Sequence, residues 1–209
     1  MKIIRESSED EMILEFLKGE LSSKRFSQNL LNILNELNID KDILIKGDIN
    51  SKEQNIIRKQ IMHKFRGYPN KELFNHFPKI ESWNLVEFDT SDLDNIYYIN
   101  YDYWNELSNN TSKPKAAAKN IMAGIEIYNV SNKPYLDGLK FLEHNLFPPI
   151  ILITCNSKKY LVIEGHSRVT IYALNPQKFD KTLGFVGVCS KEEMKKYDNR
   201  MCWYKKTYK

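Results

Sequence analysis

The sequence predicts an α/β protein in which a helical N-terminal portion precedes a domain built on a β-sheet. Two observations lead to this prediction. Apolar residues recur at helical spacing through much of the first ninety residues, and residues 160–174 place a strand, a glycine turn and a helix directly one after another. We therefore divide the chain into a helical portion over residues 1–90, an α/β domain over residues 91–190 and a basic, aromatic tail over residues 191–209.

The composition is that of an ordinary soluble globular protein, with 42% hydrophobic and 28% charged residues among 209. Folding a chain of this length buries about 70% of its unfolded surface, which suffices for one well-packed core. No apolar run approaches the roughly 20 residues that span a bilayer, and the acidic N-terminal sequence is unlike a secretory signal. We therefore expect a cytoplasmic protein without a membrane partner.

The cysteines and histidines argue against a structural metal or a disulfide framework. Cys155, Cys189 and Cys202 are an odd number without a CxxC pair, so we expect reduced, buried thiols. His63 and His76 lack a carboxylate at a ligand spacing. The sequence therefore predicts no metal site made from protein side chains.

Three helices are predicted in the first seventy residues. The first covers residues 10–21, with one apolar face at Met12, Ile13, Phe16 and Leu17. The second covers residues 27–37, with a stripe at Leu30, Leu31, Leu34 and Leu37. The third begins at Ser51, whose hydroxyl with Gln54 three residues later forms a capping pattern. Residues 39–49, between the second and third helices, are predicted as a short loop or strand.

The middle of the chain contains both kinds of element. Residues 83–88 alternate like a strand, and the aromatic-rich residues 96–104 fit a strand or a tight helix entry. The aromatic side chains could stack on nucleic-acid bases, although packing against neighbouring elements is the simpler interpretation. Pro114 suits the first turn of a helix that reaches residue 124, and a further helix is predicted over residues 136–146.

The start of the helix at Pro114 is basic, because Lys113, Lys115 and Lys119 surround it. Two interpretations fit these lysines. Their ammonium groups could help to bind phosphates, or they could simply be hydrated on the surface.

Residues 150–154 and 160–163 form a predicted hairpin, and a strand over residues 183–188 returns to the same sheet. Gly165 follows the hairpin and can adopt a backbone conformation that a side chain would forbid. A helix begins immediately afterwards and ends before Pro176. Its N-terminal N–H groups favour an anion, and the side chains around that position are Glu164, His166, Ser167 and Arg168.

The segment 146–174 resembles the core of the ParB N-terminal domain and sulfiredoxin superfamily. In that family a strand with an L-x-P-I pattern leads through a hairpin into a G-x-x-R loop that cradles nucleotide phosphates. Here the segment reads Leu146-Phe-Pro-Pro-Ile-Ile, and the loop reads Gly165-His-Ser-Arg. The resemblance covers residues 95–190. It implies a mixed sheet with helices and a nucleotide ligand, ATP or CTP, with or without Mg²⁺.

The loop residues receive roles on this basis. The phosphate-binding residues are Gly165, His166, Ser167 and Arg168, with a two-point contact from the guanidinium of Arg168. The candidate catalytic residues are Glu164, as proton acceptor or Mg²⁺ ligand, and His166, as general base. A strand-end carboxylate paired with Arg168 and a structural imidazole are the alternatives.

The activity that these roles imply is nucleotide hydrolysis or phosphate transfer to a hydroxyl group of a small molecule. The loop has no cysteine, so the sulfinic-acid repair that sulfiredoxins perform is not expected.

A non-catalytic DNA-associated module of plasmid, phage or defence context is the alternative function. Residues 191–209 hold seven basic and three acidic side chains together with several aromatic residues. Such a segment suits phosphate contacts and base stacking. The basic residues assigned to this role are Lys195, Lys196, Arg200, Lys205 and Lys206. A solvated terminus anchored by its aromatic residues is the other interpretation. The sequence makes no prediction of the oligomeric state.

Overall fold

The computed structural model describes residues 1–71 and 74–202 of the chain and shows a mixed α/β protein. The chain divides into a helical unit, Ser7–Phe77, and a sheet unit, which combines Met1–Glu6 with the described residues from Pro78 on. Each unit has its own core and is described separately. Within the described residues, no helix has the length and the apolar character that crossing a bilayer requires.

The helical unit contains α1 (Glu9–Leu21), α2 (Ser27–Glu36), α3 (Asp42–Ile45) and α4 (Lys52–Arg66). The predicted cap of α4 is confirmed, since the Ser51 hydroxyl accepts a hydrogen bond from the Gln54 N–H. Helices α1, α2 and α4 pack against one another around buried apolar side chains. These include Ile13, Leu17, Leu30, Leu34, Ile61 and Met62.

The prediction of a loop or strand over residues 39–49 is wrong for α3. The Asp40 carboxylate accepts a hydrogen bond of 2.8 Å from the Asp42 N–H, which starts a helical turn locally. Leu44 in this turn is completely buried. Burial of one leucine against α1 and α4 therefore outweighs the β-propensity of the neighbouring isoleucines.

Arg58 of α4 holds the segment before α4 in place through hydrogen bonds. Its side chain is buried, with only 1% of its surface exposed. Its Nη1 donates to the Ile43 carbonyl at 3.2 Å, and its Nη2 donates to the Asp48 carbonyl at 2.7 Å. Gln54 and Asn55 accept further hydrogen bonds from the same guanidinium. A buried charge is tolerated here because several oxygens surround it.

The sheet unit contains six strands within the described residues: β1 (Lys2–Ser7), β2 (Ile80–Glu87), β3 (Ile96–Tyr97), β4 (Ile150–Thr154), β5 (Tyr160–Glu164) and β6 (Leu183–Cys189). Their order in the sheet is β1-β2-β6-β4-β5-β3. The pairs β2/β6 and β4/β5 are antiparallel, whereas β4/β6 and β3/β5 are parallel. The mixed sheet and the predicted hairpin of β4 and β5 are therefore confirmed. Strand β1 was not predicted.

The helices of the sheet unit are α5 (Asp102–Leu107), α6 (Pro114–Met122), α7 (Lys133–Leu142), α8 (His166–Leu174) and α9 (Lys191–Tyr197). Short 3₁₀ helices lie at Thr90–Asn95, Pro176–Phe179 and Asn199–Cys202. Pro114 is the first residue of α6, as predicted. The predicted helix over residues 136–146 starts and ends earlier, as α7, and the aromatic run over residues 96–104 divides between β3 and α5.

Helix α8 lies in the centre of the main core. Its Val169 and Tyr172 share one buried cluster with Ile150, Leu152 and Val162 of the hairpin. Helices α6 and α7 both pack against α8. The position of the α8 N-terminus is therefore set by the sheet and by two neighbouring helices.

The boundary between the units lies at residue 77, whereas the sequence placed it near residue 90. The reason is the pairing of β2 with β6, in which Trp83 lies opposite Gly187. Residues 78–90 therefore belong to the sheet unit.

All three cysteines carry free thiols. Cys189 is buried, while Cys155 and Cys202 are partly exposed with their Sγ atoms 3.9 Å apart. The expectation of burial thus holds only for Cys189. The sequence separation of Cys155 and Cys202 gave no indication that their thiols meet.

We predict that Arg58→Met destabilises the helical unit. The substitution removes the guanidinium that donates to the carbonyls of Ile43 and Asp48, which costs about 1–3 kcal/mol in the free energy of unfolding. Urea denaturation followed by far-UV circular dichroism measures this loss. Arg25→Met is the control, because Arg25 is exposed and lies over the Phe26 ring, a contact worth under about 1 kcal/mol. Equal losses in the two variants would contradict the role of Arg58.

Candidate functional site

A single residue, Gly165, separates the end of β5 from the start of α8. Its φ of 95° lies in the left-handed region, where side chains are unfavourable. A Cβ atom at this position would lie 3.0 Å from Cγ2 of Ile150 and 3.3 Å from Nε of Arg168. Both the backbone conformation and the close packing therefore require glycine.

The first turn of α8 presents backbone N–H groups at the end of the helix. His166, Ser167 and Arg168 occupy this turn, and Gly165 supplies no side chain to cap it. The first turn of a helix has no intrahelical acceptors for these groups, and the positive end of the helix dipole lies at the same place. Ser167 is exposed at the second position. The turn therefore has the chemistry of an anion site.

Hydroxyl groups continue from this turn onto two neighbouring helices. The Ser167 side chain lies within hydrogen-bonding range of the Tyr135 hydroxyl. That hydroxyl is 3.0 Å from the hydroxyl of Tyr103. Burial raises the pKa of Tyr135, so its phenol stays protonated at neutral pH and can act as a hydrogen-bond donor.

The side chain of Arg168 contacts the chain that enters β4. Its Nη1 donates hydrogen bonds to the carbonyl of Pro148 at 3.0 Å and to the carbonyl of Pro149 at 2.8 Å. These carbonyls precede a fully buried strand, so the guanidinium helps to fix the hairpin against α8. This contact gives Arg168 a structural role that the sequence did not reveal. Its two-point contact with phosphate stays a prediction.

His166 belongs to a stack of aromatic rings. Its imidazole lies 5.3 Å from the Trp104 ring, with an interplanar angle of 16°, and Trp104 in turn stacks on Tyr98 at 4.7 Å. The Thr170 hydroxyl donates to the His166 carbonyl and is 2.6 Å from the Tyr98 hydroxyl. These contacts agree with the structural-imidazole alternative, and the general-base role stays a prediction.

Glu164 is partly buried at the end of β5. Its carboxylate is near enough to Tyr197 of α9 to act on that phenol: burial raises the pKa of Tyr197, and the carboxylates of Asp198 and Glu164 raise it further. His166, two residues later, is packed against Trp104 of α5.

A protein-only metal centre is not formed in the part of the chain that the structure describes. Within it, no three His, Cys, Asp or Glu side chains come close enough to share a metal ion. Binding of Mg²⁺ at this site would therefore depend on the phosphate oxygens of the ligand, with Glu164 as the nearest candidate in sequence.

The residues assigned to nucleic-acid contacts fall into three groups. Lys195 and Lys196 are exposed on α9, and Lys196 forms an ion pair of 2.6 Å with Glu193. Arg200 pairs with Asp198, and it also donates to the Ser112 hydroxyl at 2.7 Å and to the Tyr98 carbonyl at 3.1 Å. Lys205 and Lys206 lie outside the described residues.

Residues 191–202 form α9 and a 3₁₀ helix, in which Met194 and Met201 are buried while Lys195 and Lys196 are exposed. The guanidinium of Arg200 connects this segment to the main chain of the sheet unit. Arg200 therefore has a structural role, while its assignment to nucleic-acid binding stays a prediction.

Three residues of the site were not assigned from the sequence: Tyr103, Trp104 and Tyr135. The aromatic run gave a signal for Tyr103 and Trp104, which we attributed to packing. Tyr135 gave no signal, because only the packing of α7 on α8 brings it to Ser167.

Comparison of the chain with protein-family models, with curated proteins and with solved structures finds no match. The resemblance to the ParB N-terminal and sulfiredoxin superfamily therefore stays a prediction. The anion-binding chemistry proposed for this site rests on the residues of this chain.

We predict that Gly165→Ala destabilises the protein more than Gly124→Ala does. Both glycines have positive φ, so alanine costs about 1–2 kcal/mol at either position. Only at Gly165 does the new Cβ also crowd Ile150, which adds about 1 kcal/mol or more. Thermal and urea unfolding of both variants measures the difference. Equal destabilisation would show that the packing around Gly165 is looser than described.

Arg168→Met should lower the free energy of unfolding by about 1–3 kcal/mol, because the carbonyls of Pro148 and Pro149 lose their donor. The matched control is Lys178→Met, whose Nζ donates to the Glu143 carbonyl at an exposed position. That control should change stability by less than about 0.5 kcal/mol. An Arg168→Met variant as stable as the control would exclude the structural role.

Proposed function

We propose that this protein binds a nucleotide through its phosphate groups at the N-terminus of α8. The observation that carries the proposal is the direct passage from buried β5 through the left-handed Gly165 into the first turn of α8. N–H groups at such a turn, together with the positive end of the helix dipole, stabilise negative charge. The exposed hydroxyl of Ser167 adds a side-chain donor at the same position.

The surroundings of the turn suit a phosphate ester in two further respects. The hydroxyls of Tyr135 and Tyr103 extend the set of neutral donors away from Ser167. The turn also lies at the carboxyl end of β5, which runs parallel to β3. Ligands of α/β proteins bind preferentially at the carboxyl ends of parallel strands.

The resemblance to the ParB N-terminal and sulfiredoxin superfamily supports the same location, because its G-x-x-R loop corresponds to Gly165–Arg168. On this basis the ligand is ATP or CTP, with or without Mg²⁺. Backbone donors would contact the phosphates, and Arg168 would orient the loop through the proline carbonyls. The family assignment is part of the proposal.

Nucleotide hydrolysis or phosphate transfer to a small-molecule hydroxyl is the activity that would follow from binding. Either reaction requires a group that accepts a proton from water or from the acceptor hydroxyl. Glu164 and His166 are the candidates for this group. Turnover of ATP or CTP is measured in an experiment separate from binding.

We predict that Ser167→Asp weakens nucleotide binding without unfolding the protein. An aspartate in the first turn interacts favourably with the helix dipole, so α8 should stay stable. The same carboxylate repels phosphate from the turn. Calorimetric titration with ATP and with CTP, with and without Mg²⁺, should show a loss of affinity of at least about tenfold, equivalent to about 1.4 kcal/mol.

Gln28→Asp provides the matched control, because Gln28 is exposed at the second position of α2. It introduces the same charge at the same helical position in the other unit and should leave affinity unchanged. Wild-type protein that binds neither nucleotide would reject the proposal. Binding that survives Ser167→Asp would place the nucleotide elsewhere.

A further inference from the structure

A second polar depression lies near the other end of β5. Lys159 immediately precedes β5 and Gly165 follows it, so the two regions are separated by six residue steps, or about 20 Å along the strand axis. The depression is a cleft of about 240 Å³. Its lining residues are Tyr97, Asn110, Thr111, Ser112, Lys159, Arg200 and Met201.

Two ammonium groups lie near the ring of Tyr97, one of the residues that line this cleft. Lys159 also lines the cleft, whereas Lys113 lies against the Tyr97 ring without lining it. Nζ of Lys113 is 3.4 Å from the centroid of the Tyr97 ring, and Nζ of Lys159 is 5.4 Å from the same centroid. An aromatic ring attracts cations through its quadrupole. Tyr97 therefore brings two like charges close together, although they repel each other.

The carboxylates near the cleft already have cationic partners. Asp94 forms an ion pair of 2.6 Å with Lys115, and Asp198 accepts hydrogen bonds from Arg200. The two lysines on the ring donate to main-chain carbonyls: Lys113 to Asp94, and Lys159 to Arg200 at 3.3 Å. Main-chain carbonyls thus hold both ammonium groups near the cleft. The two positive charges make the cleft electropositive.

The protonation of Lys113 reflects this environment. Burial lowers the pKa of Lys113 to about 8, and repulsion from Lys159 and Lys115 contributes, while Asp94 opposes the shift. The phenol of Tyr97 has a raised pKa because of burial. An anion bound between the lysines would reverse these effects and favour the charged form of Lys113.

We propose that this cleft binds a small anion with a phosphate group, at a site separate from the N-terminus of α8. The ammonium groups of Lys113 and Lys159 provide the charge, and the amide side chain of Asn110 lines the same cleft. Binding sites for larger organic ligands have volumes of about 300–1,000 Å³. The cleft is smaller, so its ligand is inorganic phosphate or a small phosphate ester and not a nucleotide.

The test uses the full chain and measures binding of inorganic phosphate by calorimetry at neutral pH. Because phosphate could also bind at α8, each titration is repeated in the Ser167→Asp background. We expect Lys113→Met and Lys159→Met each to weaken binding at least tenfold in that background. Lys119→Met is the matched control, because Lys119 is exposed on α6 and its loss removes the same charge without touching the pair of lysines at Tyr97. It should bind phosphate like its parent.

The pH dependence supplies a second measurement that needs no cleft variant. Sulfate has the shape of phosphate and keeps its charge over the range used. Its affinity should fall about tenfold between pH 7 and pH 9, because Lys113 loses its proton near pH 8. The charged groups facing Lys113 are Asp94, Lys115 and Lys159.

Three results would overturn the proposal: no phosphate binding in the Ser167→Asp background, equal affinities for Lys113→Met and Lys119→Met, or a sulfate affinity that does not change with pH. Loss of nucleotide binding in Ser167→Asp with phosphate binding retained would establish two independent sites. The failure of one proposal is therefore distinguishable from the failure of the other.

Discussion

The left-handed backbone of Gly165 allows the buried strand β5 to pass directly into α8. A residue with a side chain would crowd Ile150 and would be strained at this φ. Because no intervening loop relaxes the connection, the direction of β5 fixes the start of α8. Val169 and Tyr172 can then enter the core of the sheet, and the first turn of α8 is left at the end of the strand. The location of the candidate site follows from this one turn.

Arg168 and His166 illustrate how side chains near a ligand site also stabilise it. The guanidinium of Arg168 donates hydrogen bonds to the carbonyls of Pro148 and Pro149, which directly precede β4. The imidazole of His166 completes a stack that begins at Tyr98. Both contacts restrict the motion of the first turn, which would lower the entropic cost of binding a phosphate there. A structural role and a role in recognition are therefore compatible for these residues.

The two ends of β5 differ in how they could attract anions. At α8 the attraction would come from backbone dipoles and neutral hydroxyls. At Tyr97 it would come from two ammonium groups, of which Lys113 has a pKa lowered to about 8. The sequence had connected Lys113 with phosphates only through its place at the start of α6. The structure instead places the Lys113 ammonium group against the Tyr97 ring and the Asp94 carbonyl.

The sequence by itself determined the elements whose causes are local. The hydroxyl of Ser51 caps α4, Pro114 begins α6, and the turn over residues 156–159 joins β4 to β5 in a hairpin, since each depends on residues a few positions apart. The tertiary structure alone decided the remaining features, including β1 at the sheet edge, the burial of Arg58 and the meeting of Tyr135 with Ser167. These depend on pairs of residues far apart in the chain, and their contacts become favourable only once the core has brought the elements together.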